Sequence, residues 1–332
     1  MASSNCSSST FPEILQSEAF LETSHHVMTS LGLPIHIFGA YCILLKSPKE
    51  MSHMKGAMIN LHIWSVALDI GIGFLFIPFL LLPALAGVGL GLFSYFGLDL
   101  AAQTLLGMCL LGAVMMSVAV LFETRFYLLY ADKSSWKWIR KPWILVHYIV
   151  AFTCLIPSYL MVPEQKSAKV ELLEYIPCLP RTLLEDRFLV VTVHRTFTVL
   201  NIMVMIVPVL FETFLFVMLI NWNMRKMQKL ARLSEKTLKL QRKFQRALVY
   251  QVTLPVVNLI APICYYLYSL HFHYYNQGFN NIIMIFISLH GMASSLVTIL
   301  IHKPYRETLL VMLRGAKVSG SQTLIEVSAT VN

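Results

Sequence analysis

The sequence predicts an all-α membrane protein, a bundle of seven transmembrane helices, and three observations predict it. The first is composition. Of the 332 residues, 57% are hydrophobic and only 13% charged, with a mean hydropathy of +0.66. A soluble domain carries about 25% charged residues, and no single soluble core holds such an apolar excess. The second is a series of seven apolar runs, at 28–45, 57–82, 100–122, 142–162, 197–220, 247–270 and 280–301. Each approaches or exceeds the roughly 20 residues that cross about 30 Å of hydrocarbon. Within them only Asp69 and Glu212 are acidic, and none contains Lys or Arg. The third is the sidedness of charge. Of 26 Lys and Arg, 21 fall in the segments 46–55, 123–141, 223–246 and 302–332, against five on the other side. Basic loops stay in the cytosol, so the N-terminus is expected outside and the C-terminus inside. The net charge of +9 then reflects membrane topology and not nucleic-acid binding.

Taken in order, residues 1–27 form a polar extracellular tail, acidic at Glu13, Glu18 and Glu22. The tail has no apolar core of a cleavable signal peptide, so the first run is expected to serve as its own signal anchor. Asn5-Cys6-Ser7 is a glycosylation sequon on the outer side. The receptor-like bundle occupies 28–301. Its least defined boundary follows run two, where Pro83 to Gly91 is itself apolar. Pro78, Pro157, Pro208, Pro255 and Pro262 lie within runs, where each removes a backbone hydrogen bond. Run six, with two of them, is expected to bend most. Basic residues from Arg225 to Arg246 recur every three or four positions, so runs five and six should extend into the cytosol as helices with a basic face. Residues 302–332 form a cytosolic tail, with a short amphipathic helix at Pro304 to Gly315 and a disordered end at 316–332. The six cysteines are scattered without a Cys-x-x-Cys pair, so no zinc site is expected. No cofactor is expected either.

Asp69 carries the strongest single constraint. A carboxylate at mid-bilayer costs about 2.5–3.5 kcal/mol on insertion scales, so it should face the bundle interior. His62, Ser65 and Asp69 share one helical face, and His290, Ser294 and Ser117 are expected as its neighbours. Glu212 is expected to meet basic groups of run six. A ligand arriving from outside would meet Gln103, Thr104, Thr198, Asn201, Tyr265, Tyr268, Asn280 and Asn281. The outer halves of those runs hold no acid, which favours neutral, volatile or weakly polar small molecules over amines. At the inner end of run three, Glu123 and Arg125 are two residues apart and do not face each other along a helix. Arg125 is then free to point into the cytosolic mouth, or serves as a stop-transfer charge. The basic face carrying Lys226, Arg242 and Arg246 suits an acidic protein surface or anionic membrane lipid.

Several segments resemble one family. Pro34-Ile-His-Ile-Phe-Gly-Ala-Tyr-Cys-Ile-Leu-Leu-Lys-Ser-Pro48 and Leu61-His-Ile-Trp-Ser-Val-Ala-Leu-Asp69 resemble the first two helices of the nematode class H serpentine receptors. So do Glu123-Thr-Arg-Phe126, with Thr124 where Asn is usual, and Pro177-Cys-Leu-Pro180. His290-Gly-Met-Ala-Ser-Ser and His302-Lys-Pro-Tyr-Arg306 continue the likeness, which covers about residues 20 to 315. The resemblance implies a rhodopsin-like chemoreceptor in the plasma membrane of sensory cilia, signalling through a heterotrimeric G protein. It implies coupling roles for Glu123, Arg125, Lys226, Arg242, Arg246, Lys303, Tyr305 and Arg306, and a polar switch at Asp69, His290 and Ser294. It also implies a disulfide from Cys178 to the third helix. Cys109 lies roughly 13 Å below that helix start, too deep for an easy bond, and Cys6 remains an alternative partner. A transporter or channel is the main competing reading, but internal repeats of the kind many transporters show are absent. The chain also lacks protease and phosphate-loop motifs, and run seven lacks the lysine of a retinal Schiff base.

Overall fold

A computed structural model describes residues 12–132, 134–175, 179–229 and 235–314; Asn5, Cys6, Cys178 and the end of the tail lie outside them. Six described helices are long and apolar enough to cross a membrane: Glu18–Leu45, Met51–Phe76, Leu100–Ala131, Trp136–Leu160, Thr196–Gln228 and Thr237–Phe272, spans one to six. A bent pair, Gln277–Ser288 and His290–Ile301, forms span seven. Span three is the axle, packed on spans two, four and five, while the inner half of span seven packs on spans one, two and six. Outward-facing apolar side chains such as Leu200, Val204 and Phe211 are more than half exposed, as lipid-facing positions should be.

Three expectations are corrected. Span one begins ten residues before the expected run, at Glu18, because Ser17 caps it by accepting from the Phe20 N–H (3.1 Å). Span three continues past Phe122, so Glu123 and Arg125 lie inside a helix and not at its end. Span two stops at Phe76, and the rest of its run is not helical. Pro78–Leu80 (β1) pairs antiparallel with Ala86–Gly89 (β2), which pairs with Leu189–Val190 (β3). This small sheet departs from an all-helical bundle, and the glycines explain it. A side chain at Gly87 would collide with the Phe79 carbonyl of the opposing strand, so the hairpin closes only because the position is bare.

The sheet is fastened over the outer end of the bundle. Gln277 Nε2 donates to the Leu80 carbonyl (3.3 Å), Asn280 Nδ2 to that of Leu82 (3.2 Å), and the Val191 N–H to that of Leu85 (3.0 Å). Asn281 Nδ2 donates to the Leu15 and Ser17 carbonyls, holding the short helix Glu13–Gln16 against span seven. Arg187 reaches from the second outer segment to both oxygens of Glu18 (2.7 and 2.8 Å). Bonds to Glu18, then Glu185, push the Arg187 pKa upward. The pair is exposed, so its stabilising effect is small.

The marked bend, 41°, falls in span seven, whereas span six is one continuous helix despite its prolines. A helix that restarts in mid-membrane exposes N–H groups that no water can satisfy. Here the Asp69 carboxylate takes two of them, from Gly291 (2.7 Å) and Met292 (2.6 Å). An N-cap side chain normally serves these two positions, but Leu289 cannot. An aspartate from span two replaces it, with the helix dipole favouring its charge. Such close approach needs Gly291. A Cβ there would sit 2.5 Å from the Ser65 carbonyl oxygen and 2.7 Å from the Asp69 carboxyl. Gly291→Ala is therefore expected to destabilise the receptor by about 1–3 kcal/mol, read as a lowered melting temperature of purified protein in detergent.

Candidate functional site

Below the outer sheet lies a cavity of about 210 Å³ between spans two, three, five, six and seven. A cavity of about 150 Å³ holds benzene, so this one has room for a small odorant-sized molecule. Its roof is Pro78, Leu80, Leu82 and Leu85 of the hairpin region, and its walls are almost wholly aliphatic. The exceptions are Gln103, Thr104 and Tyr266. Gln103 is 2% exposed, and its Nε2 donates to Ser94 Oγ (3.0 Å) and to the Leu98 carbonyl (2.6 Å). Its Oε1 has no partner among the described residues. This oxygen lies against Gly89, where a Cβ would sit 2.5 Å from it.

Of the eight expected pocket residues, Gln103 and Thr104 line the cavity. Thr198 stays by Thr192 and the His194 carbonyl, and Asn201 donates to Ser158 Oγ on the far side of the helix (3.0 Å). Tyr265 donates to Asn280 Oδ1 (2.8 Å), and Tyr268 is half exposed. Asn280 and Asn281 are fully buried as fasteners of the outer sheet and N-terminal helix. Polarity in an outer half marked structural anchors more often than cavity walls. Tyr266 was missed because Tyr265 and Tyr268 offer the same chemistry one position away.

Below the cavity, Asp69 does face the interior, but its expected side-chain neighbours differ. Its oxygens meet the span-seven backbone and His36 Nε2 of span one at 3.3 Å. Ser117 instead donates to carbonyls of its own helix. His290 and Ser294 are buried in the restarted helix beside this group. His36 Nδ1 is hydrogen-bonded with Ser295 Oγ (3.0 Å), and His62 Nε2 with the His36 carbonyl (3.0 Å). The polar stripe therefore joins spans one, two and seven. Glu212 meets His147 of span four at 3.0 Å, not a basic group of span six.

At the inner end, Glu123 is fully buried. Arg140 of span four donates to both its oxygens, from Nε (3.1 Å) and Nη2 (2.8 Å), and Trp136 Nε1 donates to it at 2.7 Å. Arg125 is not free, as the sequence suggested, but 7% exposed. It donates to the Gln241 side chain and lies over the Phe244 ring at 4.5 Å, so it latches span three to span six. Tyr305 is also buried, bonded with Ser47 Oγ (2.6 Å). Lys226, Arg242, Arg246, Lys303 and Arg306 lie toward the same end of the bundle as this latch. Residues 303–314 form the expected helix after span seven, with Leu310 to Leu313 exposed along it. Cys109 is a free thiol facing the Phe152 carbonyl.

The serpentine seven-transmembrane G-protein-coupled chemoreceptor model Srh matches residues 16–315. The chain belongs to the Srh family. A similar curated protein is serpentine receptor class H-72 of Caenorhabditis elegans, 25% identical over 303 residues, covering 89% of this chain and 86% of that one. The Srh assignment makes it a multi-pass membrane protein of a receptor family rather than an enzyme family. In this Srh chain the buried Glu123 is the inner end's main electrostatic liability. Removing one partner of a buried pair costs about 3–5 kcal/mol. Arg140→Ala should cause a loss of that order, and the double change Glu123→Gln with Arg140→Ala should recover much of it. Thermal unfolding of the two variants beside the unaltered protein measures both.

Proposed function

We propose that this Srh chain is a chemosensory receptor of the plasma membrane of sensory cilia that detects a small neutral molecule and activates a heterotrimeric G protein. The cavity beneath the outer sheet carries this reading. It is apolar, sized for a volatile molecule, and bordered by few polar side chains, Gln103, Thr104 and Tyr266. An amine would bring a charge to a site with no counter-ion, which the cost of burying an unpaired ion disfavours. A weakly polar molecule bearing one hydroxyl or N–H suits it best.

In this reading the N-terminus is extracellular, the C-terminus cytosolic, and the Lys and Arg bias of the loops supports that orientation. Ligand occupying the cavity bears on spans three, six and seven together. The Asp69 cap lies below the cavity at the break in span seven, and the inner ends of spans three, five, six and seven carry the Arg125 latch and the basic residues Lys226, Arg242, Arg246, Lys303 and Arg306. Release of Arg125 from Gln241 and Phe244 would free span six and turn the guanidinium itself toward an acidic G-protein surface in the opened cytosolic mouth. Glu123 and Tyr305 act from inside, by holding the ends of spans three and seven in place. Asp69, with His290 and Ser294 beside it, sets the angle of span seven, so Asp69→Asn is expected to change basal signalling.

Two measurements test this. In cells carrying a promiscuous G protein, calcium responses to an odorant panel should include at least one agonist. Gly107→Leu, which adds a side chain to the cavity wall where the nearest group is Phe76 at 3.8 Å, should abolish that response with surface expression unchanged. Arg125→Ala should abolish signalling while agonist binding persists. An antibody tag at the N-terminus should label intact cells, and one in the 223–246 loop should not. Labelling of the loop would reverse the orientation.

A further inference from the structure

The roof of the cavity poses a physical problem for a ligand coming from water. The hairpin is pinned to span seven through Gln277 and Asn280 and to the second outer segment through β3. Its residues Phe79, Leu81, Leu82 and Ala84 are buried, forming an apolar plug. Opening the plug would expose that surface and break several backbone bonds at once.

The side wall differs. Span five packs closely on span three and span six on span seven, but among the described residues spans five and six scarcely approach each other. Both nonetheless line the cavity, span five through Val199, Ile202 and Met203, and span six through Ile263 and Leu267. Leu267 lines the cavity and is also 37% exposed on the outer face of span six. One side chain therefore borders both the cavity and the outer face of the bundle, within the apolar run 247–270. The flanking exposed residues, Val204 on span five and Ile260 on span six, are apolar as well.

We propose that the ligand is a membrane-partitioned apolar molecule that reaches the cavity from the bilayer, through the gap between spans five and six, with Leu267 and Met203 as its jambs. This rests on the cavity being the ligand site. The chemistry favours the route, since each methylene prefers a bilayer over water by roughly fourfold. A six-carbon ligand is then concentrated in lipid by roughly a thousandfold or more. The side chains named along the gap, Met203, Ile263 and Leu267, are apolar.

The test uses full-length receptor in phosphatidylcholine nanodiscs and the neutral fluorophore 1-aminoanthracene, followed by stopped-flow fluorescence. Val204→Trp and Ile260→Trp, at exposed residues that flank the gap and do not line the cavity, narrow it from either side. Each should slow association and dissociation alike, by tenfold or more, with Kd changed less than about twofold. Both side chains face outward, so their replacement leaves the fold undisturbed. Gly107→Leu should abolish binding. If Gly107→Leu blocks binding but both tryptophan variants keep wild-type rates, the lateral route is wrong and the cavity reading stands. Faster exchange in Arg187→Ala, which loosens the outer segment, would then place the route through the roof. If Gly107→Leu leaves binding intact, the cavity itself is not the site and both readings fall.

Discussion

Two amide hydrogens in the middle of a membrane organise this structure. Span seven stops at Ser288 and restarts at His290, and hydrocarbon offers nothing to the donors thus exposed. The Asp69 carboxylate accepts from Gly291 and Met292, which turns two costs into one bonded group. The unpaired charge on span two and the broken backbone on span seven are each unfavourable alone. Together they fix the register of the two spans, and His36 adds span one to the same point. Gly291 is small for the same reason, since any side chain there would occupy the carboxylate's place. The half-helix above the break carries Asn280 and Asn281, which hold the outer sheet and the N-terminal helix. The half below carries Ser295 and Thr298 into the interior. A disturbance at Asp69 therefore reaches both faces of the membrane.

Span three is the second organiser and works by rigidity. It is continuous from Leu100 to Phe126 and buried along most of its inner half. Gln103 stands in the cavity wall one turn from its outer end, and Arg125 stands at its inner end. Glu123 lies on another side of the same turn, held by Arg140 and Trp136 of span four. The two charges so close in sequence thus serve different neighbours, one fixing span four and the other span six. The consequence is an asymmetry between the two contacts. The Glu123 site is a doubly bonded ion pair with a third donor, whereas Arg125 meets only neutral groups, the Gln241 side chain and carbonyl and a ring. A buried carboxylate stripped of its cation is very costly, so the span-three to span-four contact should persist in any state. The span-six contact is the one built to exchange partners.

Much of this was legible in the sequence. The seven spans, the helical extensions of spans five and six, and the interior placement of Asp69 followed from apolar length, basic periodicity and the cost of burying a charge. What Asp69 binds did not follow, because its partners are backbone groups created by a break that no proline announces. Proline pointed to span six instead, which stays continuous. Gly291 was a visible signal, being a glycine within an apolar run directly before two possible donors, but one glycine in a membrane helix has many explanations. The pocket was half legible. Gln103 and Thr104 were named from polarity and depth, while six other polar candidates proved to be anchors or surface groups. Sequence periodicity gives a face, and which neighbour meets that face is a property of the packed bundle.

The boundary that the sequence left least defined, the apolar stretch from Pro83 to Gly91, is the most informative in retrospect. An outer loop surrounded by water has no reason to be apolar, and a membrane span of that composition would not carry three glycines at alternate positions. Both features are explained by a strand that lies as a roof on an apolar cavity. Alternate glycines let β2 press against β1 and against the end of span two, where a side chain at Gly91 would strike the Leu75 carbonyl. The large apolar residues between them, Val88 and Leu90, pack against the core. The composition that blurred the end of span two is therefore the composition a dry lid requires. A lid of that kind, tied down by backbone bonds, also explains why the softer boundary of the cavity lies on its lipid side.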